Sequence, residues 1–261
     1  NGRPDYAQRR LDATRFVDEW GITRAETGDC LPCVTESPIP DIDRQAGHAF
    51  PDPEAPGRFA TLERILALAD GRRAVVLNLR DGFSDMRDLL GYEQALMQVA
   101  LAPGSFAAML DRVADYNLAL ARVAVRRYGI RVIATTDDVA NARNLLLSPA
   151  SYFDVIAPAF RKVVQGYRGL GCFVIKHSDG NVRPLIDFWV ECGISCLDPV
   201  DPAAGLRLGD VKAKYGDRIC LKGNIDCAGV LQYGTEAEVE AAVRDALREA
   251  GPAGLILSSS N

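Results

Sequence analysis

From residue 130 onward the sequence alternates short apolar runs with longer amphipathic stretches, and this alternation limits the possible folds most strongly. We predict strands at residues 130–134, 172–176, 194–197, 218–221 and 255–257, with a helix between each strand and the next. Because strands and helices alternate, the strands should run parallel in one sheet that the helices cover. The predicted class is therefore α/β.

Polar side chains follow each of these strands, and their number distinguishes two kinds of parallel sheet. The polar strand ends are Thr135–Asp138, His177 with Asp179, Asp198, Asn224 with Asp226, and Ser258–Asn261. An open doubly wound sheet needs such groups after only one or two strands, at its switch point. A closed barrel brings all strand ends to one mouth. Five polar strand ends in succession therefore favour a closed barrel over an open sheet.

The first half of the chain is predicted to be less regular. We expect a helix at 5–19, a short strand at 20–23, a long loop inserted at 28–60, a helix at 61–69, a strand at 74–79, and helices at 85–101 and 103–127. Residues 1–261 are interpreted as one barrel domain. The chain does not begin with Met, and no helix follows its last predicted strand. We therefore expect the barrel to be incomplete at both ends of this sequence.

Composition restricts the location and the partners of the protein. The 261 residues are 48% hydrophobic and 25% charged, as in soluble globular proteins. A net charge of −5 argues against binding to nucleic acid or to an acidic membrane surface. No apolar run approaches the roughly 20 residues of a membrane helix, and no signal peptide is visible. Seven scattered cysteines suggest reduced thiols and a cytoplasmic location.

His177 and Asp179 are the strongest candidates for catalysis and for metal binding. They directly follow the apolar run at 172–176, and in strand geometry residues two apart face the same side. A neutral imidazole can ligate a metal or transfer a proton. A structural role would be as common for a lone histidine in this position. The neighbouring Asp179, together with the turn at Gly180 and Asn181, favours a functional role.

Further candidates follow the neighbouring strands. Asp138 is a candidate catalytic group and Asp137 a candidate substrate ligand, although an N-cap or an Asx turn is the alternative for both. Arg143 could hold a substrate carboxylate, but a surface ion pair is commoner for such an arginine. The expected substrate-binding set is completed by Asn181, Asn224 and Asp226.

Other short motifs carry little weight. Cys30 and Cys33 have the C-x-x-C spacing of redox and zinc sites, but no second pair accompanies them, so a coincidence within a loop is the better interpretation. The sequence contains no G-x-G-x-x-G, no P-loop and no G-x-S-x-G. Nucleotide-dependent and serine-hydrolase functions therefore have little support.

Several motifs, in order along the chain, resemble the uroporphyrinogen decarboxylase superfamily. They are Asp18–Gly21, Thr136–Asp138, Ser148–Pro149, His177–Asn181, Tyr215–Asp217, Gly223–Asp226, Tyr233–Thr235 and Ser258–Asn261. The resemblance implies a (β/α)8 barrel, in agreement with the alternation of strands and helices. That superfamily also includes zinc-dependent methyltransferases, which move methyl groups between corrinoid proteins, thiols and methoxylated compounds.

The resemblance implies two different chemistries. Decarboxylases of the superfamily need no cofactor and use an N-terminal arginine-rich segment with an aspartate, and we see no such segment here. Its methyltransferases carry His-x-Cys and a later Cys as zinc ligands. Here the first position is His177 and the second is Asp179 instead of Cys. Aspartate can also ligate zinc.

The sequence supports three candidate functions. The leading hypothesis is methyl transfer between a methylated substrate or thiol and a corrinoid protein, with His177 and Asp179 as zinc ligands or as acid/base groups. The first alternative is cofactor-free decarboxylation of uroporphyrinogen in porphyrin biosynthesis. The second is a non-catalytic barrel that binds a small ligand. The expected partners are a small-molecule substrate, a corrinoid protein for the methyltransferase, and a second copy of the chain in a homodimer. Nucleic acid and membranes are not expected as partners.

Overall fold

The structure is a computed structural model that describes residues 8–28 and 32–260, and it contains two sheets. A four-stranded antiparallel sheet has the order β1-β2-β3-β4, and a six-stranded sheet has the order β10-β9-β8-β7-β6-β5. The strands are β1 Arg9–Arg10, β2 Arg15–Val17, β3 Thr23–Ala25, β4 Cys33–Glu36, β5 Val76–Leu79, β6 Val132–Thr136, β7 Phe173–His177, β8 Cys196–Val200, β9 Cys220–Ile225 and β10 Leu255–Ser259.

Helices connect the strands of the larger sheet. They are α1 Ala60–Ala69, α2 Phe83–Leu90, α3 Tyr92–Leu101, α4 Pro103–Tyr128, α5 Pro149–Ser151, α6 Ala157–Gly169, α7 Ile186–Cys192, α8 Leu208–Tyr215, α9 Val230–Tyr233 and α10 Glu236–Ala250. Short 3₁₀ segments lie at Ile42–Gly47, Arg183–Leu185 and Pro202–Ala204, and a π-helical turn at Tyr152–Ile156 joins α5 to α6. None of the helices in these described ranges has the length and apolar composition needed to cross a membrane.

The larger sheet confirms the α/β class. All its neighbouring strands are parallel, and their order in the sheet follows their order in the chain without a reversal. Such an order has no switch point of the doubly wound kind, and it is the order found in barrels. Within the described residues β5 and β10 are the outer strands. Closure of the sheet into a barrel therefore stays a prediction.

The N-terminal part differs from the expectation. The predicted helix at 5–19 is wrong over its described residues, since β1 and β2 form an antiparallel pair there. The Asp12 carboxylate accepts the backbone N–H groups of Thr14 and Arg15 and so stabilises the turn between the two strands. The short strand expected at 20–23 begins instead at Thr23, and β4 and a 3₁₀ segment lie inside the expected loop at 28–60.

The register of the parallel strands places three strand ends at one level. Thr136 of β6 is the Cα partner of His177, and His177 is in turn the partner of Asp198 in β8. Side chains of in-register residues point to the same face of a sheet, and residues two apart along a strand share that face. The carboxyl ends of β6, β7 and β8 therefore present their polar side chains side by side.

The opposite face of the same sheet packs on the helices and buries a lysine. Lys176 is 0% exposed, with its ammonium 5.6 Å from the Phe160 ring and 5.1 Å from the Trp189 ring. It donates to the carboxylate of Asp81 at 2.6 Å and to the carbonyl of Asp137 at 3.1 Å. A charge buried this deeply is tolerated only when it is paired. This ion pair therefore ties β7 to the segments that follow β5 and β6.

Replacing Lys176 with Met should lower the free energy of unfolding by about 3–5 kcal/mol, because the Asp81 carboxylate would stay buried without its partner. Urea unfolding measures the change. The matched control is Lys162→Met, which removes an accessible lysine that bridges Asp111 and Asp115 and should cost at most about 1 kcal/mol. Equal effects of the two substitutions would contradict the interpretation.

Candidate active site

His177 lies at the end of β7 between two sets of carboxylates. Its Nδ1 is 3.1 Å from Oδ2 of Asp198, while its Nε2 is 3.6 Å from Oδ1 of Asp179 and 3.9 Å from Oδ1 of Asp138. The imidazole is partly accessible, with 18% of the side chain exposed. When Asp198 accepts the Nδ1 proton, the Nε2 lone pair of a neutral His177 is directed at Asp138 and Asp179.

Asp198 is itself fixed by a lysine from the next strand. The ammonium of Lys222 in β9 lies 2.8 Å from each carboxylate oxygen of Asp198. Burial alone would raise the pKa of Asp198, but hydrogen bonds from His177 and Lys222 outweigh it and hold the pKa below its usual range. Asp198 therefore stays ionised and can orient the imidazole.

The loops after β6 and β7 hold Asp138 and Asp179 together. The backbone N–H of Asp179 donates to Oδ1 of Asp138 at 3.0 Å. Gly180 follows with φ +88°, and a Cβ at this position would lie 2.6 Å from the carbonyl oxygen of Asn141, so only glycine fits the turn. The sharp turn keeps Asp179 beside His177.

Burial and neighbouring acidic groups shift the pKa of Asp179. Burial, together with the charges of Asp138, Asp201 and Asp198, raises the pKa of Asp179 to about 6, although His177 opposes the shift. Among the described residues Oδ1 of Asp179 is buried and has no hydrogen-bond partner. This oxygen is therefore available to a cation or to a proton.

Asp138, His177 and Asp179 together form a candidate metal-binding group. Each offers one ligand atom, and these atoms all lie within 4.8 Å of one another. One imidazole nitrogen and two carboxylate oxygens suit Zn²⁺ or another first-row divalent cation. The structure therefore brings together the three residues that the sequence predicted to be catalytic.

The structure gives Asp137 a different environment from the one expected. Asp137 is 0% exposed, and its two oxygens accept the backbone N–H groups of Phe83 and Ser84 at the start of α2, at 2.7 and 3.0 Å. Burial and the neighbouring Asp81 carboxylate raise the pKa of Asp137 to about 8. Asp137 therefore binds the first N–H groups of a helix from a distant segment, whose own N-cap residue is Gly82, and it is not part of the proposed substrate-binding set.

Among the other predicted substrate ligands, Asn224 lies within β9, and Arg143, Asn181 and Asp226 lie in the loops after β6, β7 and β9. Arg143 is exposed, and its carbonyl accepts from Nδ2 of Asn181, whose Oδ1 is buried without a hydrogen-bond partner among the described residues. Asn224 donates to the carbonyl of Val200, and the Asp226 carboxylate accepts two backbone N–H groups of its own turn. Their role in substrate binding stays a prediction.

Sequence reasoning gave little weight to Asp198 and none to Lys222. Asp198 was one of the polar strand ends, which could have marked it as a partner for His177. Lys222 follows the apolar run of β9 in the way that His177 follows that of β7. The position of Lys222 after an apolar run could have marked it as a candidate. Only the pairing of β8 with β9, however, shows that Lys222 lies beside Asp198.

Comparisons with known proteins agree with this architecture. The chain is 29% identical over 142 residues to the methylcobamide:CoM methyltransferase MtbA of Methanosarcina mazei, a match that covers 54% of this chain and 39% of that protein. The solved structure of a methyltransferase from Methanosarcina mazei superposes with a TM-score of 0.74 at 22% identity. The superposition covers 92% of this chain and 70% of the other, and at this identity it shows the fold alone.

The family assignment comes from a match along most of the sequence. Residues 27–260 match the family model described as uroporphyrinogen decarboxylase (URO-D). This range includes β4 to β10, all the helices, and the residues around His177. The chain therefore belongs to the uroporphyrinogen decarboxylase family.

Proposed function

We propose that this chain is the catalytic barrel of a metal-dependent methyltransferase, which moves a methyl group between a small methylated substrate or thiol and a corrinoid carried by a partner protein. The observation that carries the proposal is the orientation of His177, whose Nδ1 is held by Asp198 while Nε2 lies beside Asp138 and Asp179. The similarity to a methylcobamide:CoM methyltransferase supports the same reaction class.

The residues around His177 fit a divalent cation. The donors are Nε2 of His177 and one oxygen each from Asp138 and Asp179, and the Asp179 oxygen is buried without a hydrogen-bond partner in the described part of the chain. Three protein ligands leave an open position for a substrate, as in catalytic zinc sites. Asp179 stands at the second position of the His-x-Cys pattern, so it supplies an oxygen in place of a thiolate.

Each residue has a defined task in this proposal. The cation, when bound, would lower the pKa of a substrate thiol and so supply a thiolate for methyl transfer. Asp198 accepts the Nδ1 proton of His177 and keeps Nε2 free to act as a ligand. Lys222 keeps Asp198 ionised. Asp138 fixes the turn that carries Asp179 by accepting its backbone N–H.

The proposal places the site in the mouth of a closed barrel. The sequential parallel order of β5 to β10 supports closure, as does the superposition on a methyltransferase structure. The site lies at the carboxyl ends of the strands, where active sites of such barrels are found. The cytoplasmic location and the homodimer also stay predictions.

Cofactor-free decarboxylation is the second candidate, and one observation favours it. The pKa of Asp179, raised by burial and by its acidic neighbours to about 6, lies near neutral pH. A carboxyl group with such a pKa can donate a proton to a substrate carbon after CO₂ leaves. In this reaction Asp179 acts as a general acid and no metal is needed.

We expect the full-length protein to bind about one Zn²⁺ or Co²⁺ per chain, measured by equilibrium dialysis with elemental analysis. Asp198→Asn should weaken metal binding about 10–100-fold, because it removes the group that orients the ligand, and His177→Ala should weaken it more. Asp187→Asn is the matched control, since it removes an exposed carboxylate that contacts Lys214 and Tyr215. Equal affinity for the metal ion in the wild type and in H177A would contradict the proposed metal site.

Turnover distinguishes the two reactions. With a methylated thiol, a corrinoid protein and bound Zn²⁺, we expect methyl transfer that a chelator abolishes and that added metal restores. If decarboxylation is correct, uroporphyrinogen is converted by the metal-free protein, and Asp179→Asn lowers kcat by about 10²–10⁴. Turnover of neither substrate class, together with tight binding of a small ligand, would favour a non-catalytic barrel.

A further inference from the structure

A pair of cysteines lies at the start of two neighbouring strands, away from the candidate metal ligands. Cys196 of β8 and Cys220 of β9 are Cα partners in the parallel register. Neighbouring strands are about 4.8 Å apart, which lies within the roughly 4.4–6.8 Å between Cα atoms that a disulfide can bridge. Both thiols are free, and each donates a hydrogen bond to the backbone carbonyl of the residue that follows it, Leu197 or Leu221.

The two thiols have different surroundings. Cys196 is 3% exposed, whereas Cys220 is partly exposed. The neighbouring Cys196 thiol and the ammonium of Lys212 lower the pKa of Cys220, with burial opposing the shift. The pKa of Cys196 is raised by the same contact and by burial. Because an oxidant can reach Cys220 while Cys196 is buried, Cys220 is the nucleophile of the pair and Cys196 is the second thiol.

Cys172, Cys192 and Cys33 differ from this pair. Cys172 and Cys192 are buried, and burial raises the pKa of both thiols, so they should react slowly with oxidants. Cys33 is exposed, and Cys30, its partner in the C-x-x-C pattern, lies outside the described residues.

We propose that Cys196 and Cys220 form an oxidation site that closes reversibly to a disulfide between β8 and β9 when it meets a peroxide. The Cys220 sulfur attacks one oxygen of hydrogen peroxide, the O–O bond breaks, and the leaving hydroxide takes up a proton to become water. Cys220 is then a sulfenic acid. The Cys196 sulfur attacks the Cys220 sulfur, the S–O bond breaks, and the departing hydroxyl leaves as water with the Cys196 proton. The two sulfurs lose two electrons, and the peroxide is reduced to two water molecules.

The position of the pair connects it to the candidate active site. Cys196 lies two residues before Asp198, and Cys220 two residues before Lys222, so each shares a face of the sheet with the side chain that follows it. The disulfide would thus join the same two strands that the contact between Asp198 and Lys222 joins. A thiol reductant would restore both cysteines.

The test is peptide mapping of the full-length protein after brief exposure to hydrogen peroxide and quenching with N-ethylmaleimide. We expect a linked peptide that contains Cys196 and Cys220, is lighter by two hydrogen atoms than its separate parts, and disappears with dithiothreitol. Oxidation of Cys220 to the sulfinic or sulfonic acid with Cys196 still alkylatable would overturn the proposal. Pairing of Cys220 with a different cysteine would also overturn it.

Cys192 and Cys196 fall on one tryptic peptide, so peptide mapping alone does not show which of them is bonded to Cys220. Matched variants distinguish the two. C192A should keep the linked peptide, and C196A should lose it and leave Cys220 to oxidise further. C33S should keep the linked peptide, which excludes exchange with the C-x-x-C pair. If C196A does not fold, fragmentation of the wild-type linked peptide assigns the bridge to Cys196 or to Cys192 directly.

Discussion

The hydrogen bond between Asp198 and His177 is the interaction on which the candidate site depends. A histidine at the end of a parallel strand can present either ring nitrogen, and the partner of one nitrogen decides what the other can do. Here β8 supplies the partner, and Lys222 from β9 keeps that partner ionised. Three neighbouring strands therefore cooperate to direct one lone pair at Asp138 and Asp179.

Neighbouring residues of β7 lie on opposite faces of the sheet, and each face carries its own set of charged groups. Lys176 points toward the helices and pairs with Asp81, while His177 points toward the acidic strand ends. The alternation of side chains along β6 continues into the two aspartates that follow the strand and places them on opposite faces. Thr136 is in register with His177, so Asp138 shares the face of His177 and Asp137 takes the other. The acidic groups are thus divided between fold stability and the candidate chemistry.

The sequence predicted the elements whose signals are local. The capping box of Thr235 and Glu238 marks the start of α10, and Gly129 marks the end of α4. The N-terminal helix was wrong because its charged residues serve turns and distant ion pairs. Asp18 accepts from the N–H groups of Trp20 and Ile22, and Glu19 pairs with the distant Arg58. Propensity over a short window contains no information about such contacts.

The candidate site could also be predicted in part from local signals in the sequence. His177, Asp179 and Asp138 follow apolar runs directly, and strand geometry with a parallel sheet brings them together. The register of β6 and β7 decides that the side chains of Asp137 and Asp138 lie on opposite faces of the sheet. The role of Lys222 depends on which strand lies beside β8. Because the sequence does not fix these pairings, it led to the prediction that Asp137 binds substrate at the barrel mouth, and it did not indicate Lys222.

The printed chain contains only two histidines, so the proposed orientation of the His177 imidazole can be measured directly. With ¹⁵N-labelled histidine in the full-length protein, long-range ¹H–¹⁵N spectra should show His177 protonated at Nδ1, with an Nε2 resonance that shifts when Zn²⁺ is added. His48 serves as the internal control. A proton on Nε2 instead, or an Nε2 resonance that Zn²⁺ leaves unchanged, would contradict the account.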